Sequence, residues 1–243
     1  MKTSVYGRMV FGAAAVLFGV IALLWHDADT WQGLTKIWSL PYGTRIGEGL
    51  MIAQIAGGIG IVYPRTVRLA SIVLTVVYAL FSLACIPGIV AAPTNFGEYD
   101  GFFEQFSLLC GAIAIYAAYT PRSSGLARLA RVGFGLCAGS FTLAQLIYLR
   151  ETASLVPTWI PPNQMFWAVL TTIAFALAAA AILINRYAQL ALRLLTLMLG
   201  LFGVLVWIPL LIAHPAEHFS WSEFALTFLI TGAAWNLSNL RSS

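Results

Sequence analysis

Long apolar runs alternate with short polar joints along the whole chain. The runs fall at about 8–25, 46–63, 67–88, 103–120, 128–148, 165–184, 188–213 and 222–240. Each is close to the roughly 17–25 residues that carry a helix across hydrocarbon. None alternates at period two, as the strands of a membrane barrel do. The pattern therefore predicts an all-α protein with eight transmembrane helices. The tightest joints, Tyr63-Pro64-Arg65-Thr66 and Asn185-Arg186-Tyr187, predict antiparallel neighbours.

Composition excludes the soluble alternative. The chain is 60% hydrophobic and 9% charged, where a soluble domain carries roughly 25% charged residues. So few charges cannot cover a surface in water. The lipid bilayer is the predicted partner, and helices satisfy their own backbone polar groups there.

The charges sort by side. With the N-terminus in the cytoplasm, Lys2, Arg8, Arg65, Arg68, Arg122, Arg128, Arg131, Arg186, Arg193 and Arg241 fall inside. Lys36, Arg45 and Arg150 fall outside. That is the positive-inside pattern, and an even number of helices returns the C-terminus to the cytoplasm. The acids Asp27, Asp29, Glu48, Glu98, Asp100, Glu104, Glu151, Glu217 and Glu223 all fall outside. The basic residues are single and scattered, which excludes a nucleic-acid partner. Lys2 and Arg8 ahead of an apolar run resemble a secretory leader. The run is long and ends in Trp25-His26-Asp27 instead of a small-residue cleavage site, so a retained first helix is expected.

The sequence repeats itself. Arg8-Met9-Val10-Phe11-Gly12 returns as Arg131-Val132-Gly133-Phe134-Gly135, and Trp38-Ser39-Leu40-Pro41 returns as Trp159-Ile160-Pro161-Pro162. Arg65 with Leu69-Ala70 returns as Arg186 with Leu190-Ala191. Ile86-Pro87 before Pro93 returns as Ile208-Pro209 before Pro215. Ordered marks at one spacing predict two tandem four-helix bundles, residues 1–122 and 123–243. Four helices per unit give both the same orientation, unlike the inverted repeats of many transporters. Each unit has a long outer loop, 26–44 and 149–164, with Trp and Pro near its ends. A short surface helix or re-entrant piece is expected there. Pro87 and Pro209 are expected to kink or end the third helix of each unit and to free carbonyls toward an outer polar cavity.

Candidate chemistry gathers on that outer side. Glu48, Glu104 and Glu223 are placed in the first turns of outer-starting helices. One reading is capping, with Ser220-x-x-Glu223 as a capping box. The other is a carboxylate ring around a ligand site, with Gln54, Trp38 and Trp159 as further lining. Gly57-Gly58-Ile59-Gly60 lacks the strand–turn–helix setting of a nucleotide loop and reads as close helix packing. His214 and His218 stand four apart, but Pro215 and a loop setting argue against a metal site, and none is predicted. Cys85, Cys110 and Cys137 form no C-x-x-C pair and read as buried apolar residues. No catalytic motif is visible.

The opening Arg8-x-x-Phe11-Gly12, the Trp-bearing loop to Pro41, the glycines around Gly57-Gly58, Tyr63-Pro64-Arg65-Thr66, Ile86-Pro87, Phe103-Glu104 and Gly111-Ala112 resemble the DoxX-like family of small four-helix bacterial membrane proteins. The second half resembles the same pattern more loosely. The resemblance implies a bacterial inner-membrane protein, multi-pass, of double length. It implies an accessory role with subunits of respiratory or oxidative-stress redox complexes, with a quinone or lipid as ligand and homo-oligomers as a further form of assembly. The alternatives left open are a small-solute transporter or channel and a structural partner subunit.

Overall fold

A computed structural model describes residues 4–25, 36–37 and 39–240. Most of the first outer loop lies outside the described residues, as do Lys2, His26, Asp27, Asp29, Trp38 and Arg241. The described chain is helical throughout its regular structure, with no strand. The helices are α1 (Val5–Leu24), α2 (Gly43–Gly60), α3 (Val67–Ala91), α4 (Phe96–Ala118), α5 (Ser124–Ile147), the short α6 (Leu149–Leu155), α7 (Gln164–Leu183), α8 (Ala188–Ala213) and α9 (His218–Ser238). Six of them, α1, α3, α4, α5, α7 and α8, are long and apolar enough to cross a bilayer. The chain is a multi-pass membrane protein, and lipid is the partner that its apolar exterior requires. Leu177, Leu194, Leu197, Ile212 and Val90 are all more than half exposed, and water would not tolerate so many.

Local chemistry moves the helix starts outward from the apolar runs. The Asn95 side chain accepts a hydrogen bond from Gly97 N at 3.1 Å, so α4 begins seven residues before its apolar run. The polar segment Glu98-Tyr99-Asp100 is therefore helical. Asn163 caps α7 in the same way, accepting from Phe166 N at 2.8 Å. Glu217 is the N-cap residue of α9, which places Ser220 and Glu223 inside the helix. The capping box expected at Ser220-x-x-Glu223 is not formed, and Glu48 and Glu104 likewise lie beyond the first turns of α2 and α4.

The prolines do not end their helices. α3 continues from Pro87 to Ala91 and α8 from Pro209 to Ala213. In α8 a π turn over Gly203–Trp207 widens the helix just before Pro209, where the ring would otherwise meet the carbonyl four residues back.

Packing follows chain order around a ring: α1 on α2, α2 on α3, α3 on α4, α4 on α5, α5 on α7, α7 on α8 and α8 on α9. The ring closes where α9 packs on α1, and α4 and α9 meet through its centre. Glycine permits the closest approaches. A Cβ at Gly12 would stand 2.5 Å from the Gly58 carbonyl oxygen, and one at Gly58 would stand 2.7 Å from that of Gly12. The glycine-rich segment of α2 is thus a contact face for α1, as the sequence suggests. A Cβ at Gly111 of α4 would stand 2.6 Å from the Ala233 Cβ of α9. α9 is the most enclosed helix, with Ala225, Leu229, Ala233 and Ala234 fully buried beside Ser220, Ser222, Thr227, Thr231 and Asn236. Surrounded by protein, it does not need the apolar surface that a lipid-facing helix needs. That is why it falls short of the apolar content of the six.

Candidate functional site

The two ends of this bundle carry opposite chemistry. Arg8 reaches the end of α2, Arg68 lies over Tyr116 near the end of α4, and Gln189 at the start of α8 bonds Leu240 beyond α9. These contacts place the starts of α1, α3, α5 and α8 at one end with the ends of α2, α4, α7 and α9. Eight arginines collect there: Arg8, Arg65, Arg68, Arg122, Arg128, Arg131, Arg186 and Arg193. The described acids Glu48, Glu98, Asp100, Glu104, Glu151, Glu217 and Glu223 all collect at the opposite end.

At the acidic end, α3, α4 and α9 converge. Asp100 and Glu104 stand four apart on α4 and so share a face. Both act electrostatically with Glu223, which α9 brings to the same level. Asp100 Oδ1 is buried with no hydrogen-bond partner, and so is Ser222 Oγ next to Glu223. A second group adjoins the trio. Lys36 Nζ donates to Glu98 Oε2 at 2.6 Å, and this ion pair lies directly over Gly88, where any Cβ would collide with both partners. Lys36, Glu104 and Glu98 all act on the Cys85 thiol of α3. Aromatic rings border the acids on their own helices. Phe102 stacks on Phe106 at 5.6 Å and meets Phe103 edge-on at 5.2 Å, while Phe224 meets Phe228 at 4.9 Å.

Several carboxylates held together in an apolar setting demand a shared proton, a cation or a ligand rich in donors. Among the described residues no group of three His, Cys, Asp or Glu side chains is placed to hold a metal ion. The two described histidines serve separately. His214 Nδ1 pairs with Glu217 Oε1 at 3.3 Å, and His218 stacks flat on Trp25 with ring centroids 5.2 Å apart.

The residues expected at this site are only partly assembled. Glu104 and Glu223 come together. Glu48 is half-buried on α2. Gln54 is fully buried and its Nε2 donates to the Ala15 carbonyl at 2.9 Å, tying α2 to α1. Trp159 is 68% exposed on the second outer loop, a membrane-boundary position and not a cavity wall. Trp38 lies outside the described residues.

Asp100, Lys36 and Glu98 were not singled out by sequence reasoning. The signal that could have found the two acids is Asn95, an N-cap residue that carries α4 outward through Glu98 and Asp100, and Lys36 had no such signal. The proximity of Cys110 and Cys137 was missed as well. Their thiols come within hydrogen-bonding reach across α4 and α5, and both are free and buried.

The sequence matches no family model, and no curated protein or solved structure shows significant similarity to it.

Proposed function

We propose that the chain is an accessory membrane protein that binds a quinone- or lipid-like amphiphile at its acidic end, within respiratory or oxidative-stress redox chemistry of the DoxX-like kind. The carrying observation is the meeting of Asp100, Glu104 and Glu223 between α4 and α9, with an orphaned Asp100 carboxylate oxygen and with phenylalanines on the same two helices. A quinol suits that chemistry. Its hydroxyls donate to carboxylates, its ring packs on aromatic faces, and its tail remains in lipid.

In the same reading the chain crosses a bacterial inner membrane eight times, as two fused, like-oriented four-helix units at 1–122 and 123–243. Matched contacts support the duplication. A Cβ at Gly12 of α1 would meet Ile61 and Val62, and one at its counterpart Gly135 of α5 would meet Ile182 and Leu183, each partner displaced by 121 positions. Tyr99 donates to the Pro93 carbonyl at 3.1 Å, and Trp221 donates to the Pro215 carbonyl at 3.0 Å. Arg8 holds the end of α2 through the Ile61 carbonyl at 3.0 Å, and Arg131 holds the end of α7 through Asn185 Oδ1. Gly111 and Ala233, 122 apart, touch each other. A residue that contacts its own counterpart lies on a twofold axis. The arginine-rich end gives cytoplasmic termini.

Titration of the purified protein with a short-chain quinol, read by tryptophan fluorescence, tests the binding site. The reading predicts a saturable response that Glu104→Gln and Glu223→Gln each weaken about tenfold, the worth of one charge-assisted hydrogen bond. No saturable response, or variants that titrate like wild type, would overturn it.

A further inference from the structure

At the opposite end of α9, about 20 Å from Glu223 by helical rise, lies a cavity of about 610 Å³. The starts of α5 and α8, the joint after α7 and the end of α9 enclose it. Three arginines line it, Arg128, Arg131 and Arg193, together with Ser124, Asn185 and Gln189. Every described acid is at the other end of the bundle, and no described ion pair involves these arginines. Arg128 and Arg131 act on each other as like charges, and Arg131 Nε is buried without a partner.

Retention of positive charge at a cytoplasmic helix end does not by itself require this arrangement. The corresponding arginine of the first half shows the difference. Arg8 is 3% exposed, donates to the carbonyls of Ile61 and Val62, and lies under the Tyr119 ring at 5.2 Å. Its Nε lacks a partner as that of Arg131 does, but the side chain is closed off from solvent and does not line the cavity. Arg131 bonds Asn185 and still faces an open cavity with two more cations. The positions matching Arg128 and Arg193 near the start of α1 and α3 are Val5 and Ile72, so the first half has no such triad. In the wall of the cavity Asn185 and Tyr187 both adopt left-handed backbone conformations at φ 60°, the turn that brings the start of α8 beside α5.

We propose that this cavity binds a phosphate headgroup of an anionic membrane lipid. Guanidinium groups match phosphate oxygens in charge and fork geometry. The same cavity has an apolar side, Leu190, Leu192, Leu237 and Leu240. Leu190 is 54% exposed and continues into the lipid-facing row of Leu194 and Leu197, which gives the acyl chains their place. A basic pocket between membrane helices at the cytoplasmic boundary is the setting in which such headgroups are held.

The test uses the full chain, purified in neutral detergent. Native mass spectrometry measures retention of phosphatidylglycerol against phosphatidylcholine, and thermal unfolding is followed with each lipid and with inorganic phosphate alone. Each arginine near an anionic headgroup is worth about fivefold in affinity, so Arg128→Gln with Arg193→Gln should weaken phosphatidylglycerol binding about 30-fold. Arg45→Gln with Arg150→Gln removes the same charge from the other end and should leave binding unchanged. Equal losses in both double variants would overturn the proposal, as would equal retention of the two lipids. Stabilisation by inorganic phosphate equal to that by the lipid would overturn the lipid source and assign the cavity to a soluble phosphate compound.

Discussion

Gly111→Ala probes the centre of the fold. The new methyl carbon would stand 2.6 Å from the Ala233 Cβ, 3.0 Å from the Ala233 Cα and 3.0 Å from Phe11 Cε2. Ordinary carbon contacts begin near 3.5 Å, so α4 and α9 must separate by most of an ångström. Phe11 and Ala233 are fully buried and have nowhere to move. Overpacking of this kind costs about 1–3 kcal/mol. Replacing glycine by alanine inside a helix gains about 1 kcal/mol in propensity. The expected net loss is about 0–2 kcal/mol, which places Gly111→Ala about 1–3 kcal/mol below a change that brings the propensity gain alone. Gly139→Ala on α5 is the control, because nothing stands within 4 Å of a Cβ there and only the propensity gain remains. Adding Ala233→Gly removes the shortest clash, so the double variant should be less impaired than the sum of the two single changes. Thermal unfolding in detergent, or unfolding by added denaturing detergent, gives the four stabilities. If Gly111→Ala stabilises the protein as much as Gly139→Ala does, the close approach of α4 and α9 is wrong.

Two further outcomes follow from buried polar contacts. Arg8→Gln removes a buried cation that closes the end of α2 and rests under Tyr119. It should cost about 2–4 kcal/mol in the same unfolding assay, well above the loss from Arg65→Gln at an exposed position. Gln145→Leu takes away the acceptor of Thr171 and Thr172 hydroxyls at 3.3 and 3.0 Å, but both hydroxyls also bond the Ala168 carbonyl. Its cost should therefore stay below about 1 kcal/mol, and a larger loss would show that the α5–α7 link is underestimated.

The helices were legible because lipid imposes length and apolarity, and the eight apolar runs correspond to the eight long helices within a few residues, α4 excepted. The start of α4 was misplaced because hydropathy ends where the polar turns begin, while the Asn95 cap extends the helix through them. Glu104 and Glu223 were legible as charges inside apolar runs. Their encounter was not, since it depends on α4 packing against α9, which lie in different halves of the chain. Gln54 was read as a site residue by the same logic. The Gln54 Nε2 donates to the Ala15 carbonyl, a contact that only three-dimensional packing reveals, while its Oε1 stays buried without a partner. The arginine cavity was hidden because the positive-inside pattern accounts for each arginine singly. Its distinguishing feature is the contrast between Arg8, covered by Tyr119, and Arg131, left open.

Labelling of single cysteines with a membrane-impermeant maleimide tests most directly the claim of two like-oriented halves in one bilayer. In a background with Cys85, Cys110 and Cys137 replaced by alanine, Thr94→Cys and Ala216→Cys should both react in intact cells. Arg65→Cys and Arg186→Cys should react only after permeabilisation. Thr94 and Ala216 labelling from opposite sides would contradict the account.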